Sequence, residues 1–266
     1  MGRAFVPSPK KLPAKRILIT ADLGELWHHP PLGELLDRLS RFGIPLTLFC
    51  SNMFLDGRSG YPIVRKIIRS ARLKKLRLEI GAHSLRHISL SGHDVDRAAS
   101  AIKESVLAFR EKGIPVVGYR APYLSIERMY PQVLKALSAE KGILAYDSST
   151  LFERNLLISR IQDFIRWKSP HRVGGIWEMP LSCLDDYHLI DKLQKDDRFI
   201  RSYWTRKAGV SLGRYNYFHL LVHPEIINRH FPALENFLAD CLDRYSRGAF
   251  ATCREVAAEL NRAERR

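Results

Sequence analysis

Cysteine is scarce in this 266-residue chain and arranged in no pair. Cys50, Cys183, Cys241 and Cys253 form no Cys-x-x-Cys, which removes the short metal and redox motifs and leaves buried, reduced thiols as the expectation. No apolar run approaches the roughly 20 residues that a bilayer span needs. The basic stretch Met1–Arg16 is followed by an apolar run that is too short for a signal-peptide core and is interrupted by Asp22. A cytoplasmic protein is expected on that reading. No Gly-x-Gly-x-x-Gly follows the first strand-like run, so a dinucleotide fold is disfavoured. Internal repeats, low-complexity segments and a clear linker are also missing.

Acidic residues are few. Against 43 Lys+Arg there are 28 Asp+Glu, a net charge of +15. Such a balance points to an anionic partner: phosphates, acidic lipid or nucleic acid. The densest basic cluster is Arg65, Lys66, Arg69, Arg72, Lys74, Lys75 and Arg77. No zinc-finger, RNA-recognition or helix-turn-helix signature supports specific nucleic-acid binding. An anionic membrane surface, met peripherally from the cytoplasm, therefore stays among the expected partners.

What is present is alternation. Strand-like runs at Arg16–Asp22, Pro45–Ser51, Glu79–His83, Val116–Arg120, Leu144–Ser148, Ile176–Ser182 and Tyr217–His223 are separated by helical patterns. Those patterns cover Pro31–Phe42, Tyr61–Leu76, His93–Lys112, Glu127–Lys141, Asn155–Lys168 and about Pro232–Arg247, several of them stopped by glycine. A short strand or turn and a terminal helix fill Ala249–Arg262. Alternation of this kind means parallel strands joined by crossover helices, and seven units favour a barrel. The expected fold is α/β, a distorted (β/α)7 barrel resembling a TIM barrel, in one domain over residues 16–266. Residues 1–15 form a basic N-terminal arm. The irregular pattern at Arg201–Asn216 reads as an insertion.

Five short segments carry chemistry where apolar runs end: Thr20-Ala21-Asp22-Leu23-Gly24, His83-Ser84-Leu85-Arg86-His87, Arg120-Ala121-Pro122-Tyr123, Tyr146-Asp147-Ser148-Ser149 and Leu221-Val222-His223. Strand ends are where a barrel collects its active site. His83 and His87, four residues apart, would share a face on one turn of helix, within reach of one ion. Taken singly, Asp22 could be a helix cap, Arg120 a salt-bridge partner and His223 a core histidine. Trp27, Trp177 and Trp204 could stack on sugar rings, but tryptophan more often packs.

In these segments the chain resembles the polysaccharide deacetylases, carbohydrate esterase family four with its NodB-homology domain. The resemblance runs over roughly Arg16 to Leu260. The His-x-x-x-His and Arg-x-Pro-Tyr motifs are the specific ones; the rest, including Phe250–Glu255, support them. It implies metal-dependent hydrolysis of an acetyl amide or ester on a carbohydrate or lipid-linked sugar. His83 and His87 would hold a divalent metal, zinc, that polarises a water. Asp22 would be the general base and Arg120 its orienting partner. The backbone N–H of Tyr123 would face the oxyanion, and His223 would protonate the leaving amine. Asp185 or Asp186 would tune His223. One position departs from the family: Leu23 stands where its second aspartate, a third metal ligand, belongs. Glu25, His28 and His29 follow as candidate substitutes. A non-catalytic barrel that binds a glycan or a protein is the alternative reading, and a basic membrane-surface or nucleic-acid binder is a further one.

Overall fold

The computed structural model describes residues 11–24, 29–55, 63–126, 129–140, 142–151 and 169–265, with the backbone alone at 29–30. The helix expected at Asn155–Lys168 lies outside these residues. The strands are β1 (Arg16–Leu23), β2 (Leu46–Cys50), β3 (Leu78–Ala82), β4 (Gly118–Tyr119), β5 (Tyr146–Asp147), β6 (His171–Val173), β7 (Ile176–Glu178) and β8 (Tyr217–Val222). The helices are α1 (His29–Phe42), α2 (Ile63–Leu73), α3 (Val95–Glu111), α4 (Tyr130–Ser138), α5 (Asp197–Tyr215), α6 (Phe231–Arg244) and α7 (Cys253–Glu264).

The strands form one curled sheet in the order β6-β7-β5-β4-β3-β2-β1-β8. All neighbours are parallel except β6 and β7. β6 and β8 are its two edges, so among the described residues the sheet is not laddered into a ring. The segment after β7 spans the gap: the Ser182 N–H donates to the His219 carbonyl (2.9 Å), and the His219 N–H donates back to Ser182 Oγ (3.0 Å).

Strand periodicity sorts the side chains into two layers. Ile17, Ile19, Ala21 and Leu23 of β1 face the helices, in the large apolar layer with Leu35, Val106, Leu134 and Phe237. Leu18, Phe49, Tyr146, Met179 and Tyr217 belong to a second cluster that fills the barrel interior. Alternation then sends Thr20 and Asp22 inward as well. Gly118 of β4 is what lets Tyr146 enter, since a Cβ there would come within 1.9 Å of the tyrosine ring. The floor is closed by α7. Glu79 accepts from Tyr146 Oη (2.8 Å), Thr47 Oγ1 (3.1 Å) and the Arg254 N–H (2.8 Å), and burial raises its pKa. A capping box between Thr252 and Glu255 starts the helix.

Two expectations need correction. The segment read as an insertion, Arg201–Asn216, lies almost wholly in α5. Its buried positions, Ile200, Tyr203, Trp204, Ala208, Ser211 and Leu212, keep helical spacing but mix aromatic, small and hydroxyl side chains. An aliphatic pattern does not reveal them. The antiparallel β6 was not foreseen; it pairs with β7 through the tight turn at Gly174-Gly175. As for the basic arm, residues 1–10 lie outside the described residues. Leu12 is buried, with its N–H donating to the Tyr215 carbonyl (3.0 Å). Among the described residues no helix is long and apolar enough to cross a membrane.

Candidate functional site

A cleft of about 560 Å³ opens at the C-terminal ends of the strands, lined by Asp22, His83, His87, Tyr123, Asp185, His188 and His223 among others. Asp22 reaches it from the end of β1, held by Arg120 from just beyond β4. Arg120 is fully buried and every hydrogen bond it makes fixes its direction. Nη1–H donates to Asp22 Oδ1 (2.7 Å), Nε–H to the Ser148 carbonyl (3.0 Å) and Nη2–H to Ser148 Oγ (2.8 Å). Its guanidinium lies over the Phe49 ring at 4.2 Å. Burial alone would raise the Asp22 pKa; the charges of Arg120, then His83 and His223, outweigh it and hold the carboxyl below its usual range. Asp22 is thus ionised while almost enclosed.

The two histidines are brought together by a loop and not by the helical turn expected. Left-handed residues at Ser84 (φ 70°) and His87 (φ 52°) fold the segment back on itself. The ring centroids end 5.1 Å apart. His83 Nδ1–H donates to the Arg120 carbonyl (2.9 Å), which leaves Nε2 facing the cleft, 3.8 Å from Asp22 Oδ2. Burial, with His87 and Arg120 adding to it against Asp22, lowers the His83 pKa to about 4 and keeps the ring neutral. His87 packs on the backbone of Gly24, where a Cβ would fall 2.4 Å from Nε2. Its other face meets Tyr123 at 5.0 Å. Tyr123 itself is 70% exposed and left-handed (φ 56°).

On the opposite wall, the choice left open between Asp185 and Asp186 resolves into two separate pairs. His223 Nδ1–H donates to Asp186 Oδ1 (2.7 Å) and the His223 N–H to Oδ2 (2.7 Å). His188 Nδ1–H donates to Asp185 Oδ1 (2.6 Å) from a turn of π-helix at Tyr187–Lys192. Burial would lower the pKa of His223, but Asp186, with Asp185 and Asp22, raises it to about 10. The hydrogen bond to Asp185 raises that of His188 against burial. The His223 ring is therefore cationic near neutrality.

His219 is the residue that reading the sequence missed. Tyr217 Oη donates to the Pro180 carbonyl (3.0 Å), so it accepts from His219 Nδ1–H (2.9 Å). The bare Nε2 then accepts from Arg120 Nη2–H (3.1 Å). Burial and the Arg120 charge push its pKa well down. A neutral histidine on an apolar strand reads as core; only its alternation with His223 and Tyr217 hinted that it faces inward. The tryptophans pack: Trp177 Nε1–H donates to Asn261 Oδ1 (2.9 Å) and Trp204 Nε1–H to the Leu184 carbonyl (3.2 Å). Trp27 lies outside the described residues.

A divalent metal is what the resemblance implies, and the donor set meets that requirement in part. His83 and His87 present two imidazoles to one space. Leu23, at the position of the third ligand, is fully buried in the helix-facing apolar layer and does not line the cleft. Asp22 is engaged by Arg120. Among the described residues no three His, Cys, Asp or Glu side chains gather around one point. Glu25, His28 and the side chain of His29 lie outside the described residues. The described residues do not make up a three-ligand site.

Comparison with known proteins gives two kinds of match. A family model described as polysaccharide deacetylase matches residues 9–141, half of the chain. No curated protein sequence matches. Among solved structures, one described as a polysaccharide deacetylase from Mycobacterium smegmatis superposes with a TM-score of 0.68 at 20% identity, over 98% of this chain and 94% of that one. Puue allantoinase gives 0.67 at 16% identity, over 95% and 94%. A CE4 family pseudoenzyme from Bacillus anthracis gives 0.55 at 13% identity, over 96% of this chain and 70% of that one. At these identities the structural likeness is one of fold.

Proposed function

The chain belongs to the polysaccharide deacetylase family of hydrolases acting on carbon–nitrogen bonds, and from that premise we propose that it removes the acetyl group from an N-acetylated sugar. The observation that carries this reading is the meeting of Asp22, Arg120 and the His223–Asp186 pair, far apart in sequence, at one cleft. In the proposed reaction Asp22 is the base. Arg120 occupies Oδ1, so Oδ2 takes the proton of a water as its oxygen attacks the amide carbon. The charge that develops on the carbonyl oxygen is met by the backbone N–H of Tyr123. The cationic His223 delivers a proton to the departing nitrogen, without which an amine leaves poorly. His219 acts one step back, holding Arg120 to its line.

Zinc on His83 and His87, which the resemblance implies, would require a ligand that the described residues do not supply. A second reading rests on Leu23: a barrel that keeps the cleft but binds a glycan or a protein without turning it over. The four cysteines, all buried and none in a disulfide, suit a reducing compartment such as the cytoplasm.

Acetate release from a panel of N-acetylated sugars, with and without added zinc, tests the choice. Under the catalytic reading Asp22→Asn and His223→Ala each lower kcat/KM by about 100-fold or more, while sugar binding persists. Glycan binding with no acetate released from any sugar, under either condition, leaves the second reading standing.

A further inference from the structure

Helix α2, Ile-Val-Arg-Lys-Ile-Ile-Arg-Ser-Ala-Arg-Leu, holds four basic residues and no acidic one. Arg65, Lys66, Arg69 and Arg72 are all exposed, and none makes an ion pair among the described residues. The neighbouring cations behave differently: Lys74 is paired to Asp37 and Arg77 to Glu255. Beside α2 runs a groove of about 620 Å³, bounded across from the helix by Lys112, Gly113 and Ile114. Arg65 Nη2–H donates to the Lys112 carbonyl (3.1 Å) and ties the two walls together. The groove is apolar as well as basic. Ile68 and Leu73 line it, and Leu73 is 76% exposed, among the most exposed large apolar side chains of the described residues.

We propose that this face docks the protein on an anionic lipid bilayer, with the α2 arginines and Lys112 against the headgroups and Leu73 entering the acyl boundary. A solvated basic helix face accounts for the charge but not for an exposed leucine placed among arginines. An amphipathic surface with cations around an apolar side chain is the pattern of interfacial binding. Nucleic acid is the other polyanion, but among the described residues no aromatic side chain lines the groove to stack a base. Glu111, next to Lys112, is the acidic residue nearest in sequence, and one carboxylate does not reverse the sign of the face.

The position of the groove adds a consequence. Leu73 ends α2 and Gly113 follows α3, where the chain turns to enter β3 and β4 at the strand N-terminal ends. His83 and Arg120 lie where the same two strands finish. No residue of the cleft lines the groove. A docked molecule therefore keeps its cleft open to solvent, and its substrate is reached from the aqueous side and not from the bilayer that holds the protein. A lipid-linked sugar in that same bilayer, one of the substrates the resemblance implies, is out of the cleft's reach when the protein is docked this way. The docking itself does not depend on the proposed catalysis.

Co-sedimentation of the full chain with vesicles tests it, comparing phosphatidylcholine alone with phosphatidylcholine containing phosphatidylserine, at low and high salt. Binding is expected only to the anionic vesicles and only at low salt. Each cation removed weakens binding by about fivefold, so Arg69→Ala with Arg72→Ala lowers it about 25-fold. Leu73→Ser lowers vesicle binding and leaves binding to a single-stranded homopolymer RNA unchanged. These side chains are exposed, and circular dichroism checks that the variants remain folded. Unchanged partition of the double variant overturns the proposal. So does vesicle binding that ignores Leu73→Ser, or RNA binding that exceeds vesicle binding. Asp22→Asn, silent in catalysis under the reading above, is expected to sediment like the parent, so failure of either idea is seen separately.

Discussion

His223 carries its proton chiefly because of one neighbour. Burial acts against the imidazolium, and the Asp186 carboxylate at 2.7 Å overturns it, raising the pKa to about 10. The Cε1–H resonance of His223 is therefore expected to stay fixed from mildly acidic to mildly alkaline pH. In Asp186→Asn the main opposing charge is gone and burial wins, so the same resonance should titrate below the usual 6.5. A resonance that still fails to titrate there would mean that another carboxylate holds the proton. Leu23 carries the second prediction at this scale. With two imidazoles and no third described ligand, zinc should be lost on dialysis and should bind more weakly still in His83→Ala, both read by metal content. Because Leu23 faces the helices, Leu23→Asp would bury a carboxylate in the apolar layer. It should cost several kcal/mol, about 3, without retaining zinc. Stoichiometric zinc in that variant would show that residue 23 turns into the cleft. The site was visible in sequence where chemistry sits at the end of an apolar run, as at Asp22, His83 and Arg120. The choice of Asp186 over Asp185 was not, because two adjacent carboxylates on an irregular segment are separated only by what folds against them.

Among the elements, α5 shows what periodicity misses. Trp204 is fully buried on its inner face, 5.8 Å from Phe237 of α6, and its indole N–H holds the Leu184 carbonyl. Leu184 directly precedes the two aspartates, so α5 braces the segment that supplies the partner of His223. Trp204→Ala should destabilise the protein by about 3–5 kcal/mol in a urea titration. Trp204→Phe keeps the ring contact and gives up only the hydrogen bond, about 1 kcal/mol. Equal costs for the two would mean that the ring packs on nothing. The strands diverge from their sequence signal in a different way. β1, β2, β3 and β8 were plain because their helix-facing sides are aliphatic. β4 and β5 shrink to two paired residues each, since the strands splay as the sheet curls and only short stretches stay within ladder distance. Runs of apolar residues report burial; they do not report how long two strands remain paired.

At the scale of the whole molecule, the His223–Asp186 pair depends on how the barrel is closed. His219 and His223 lie on β8 and at its end, on one edge of the sheet. Asp186 lies on the segment that leaves β7, on the other side of the gap. Two reciprocal hydrogen bonds between Ser182 and His219 hold these sides together, and the His223–Asp186 pair forms four residues further along each segment. Closure of the barrel and assembly of the His223–Asp186 pair are thus one event, and the seam should be the place where both fail together. Ser182→Ala removes the acceptor for the buried His219 N–H, a loss of about 1–3 kcal/mol. Hydrogen exchange at His219 should speed up, while the β1–β2 ladder keeps its protection. As Asp186 loosens, the pKa of His223 should move down from about 10 toward its usual range. Ser182→Thr, which keeps the hydroxyl, should restore both. If Ser182→Ala lowers stability but leaves the His223 titration where it was, the seam is structural only, and Asp186 is placed by α5 and the π-helical turn instead.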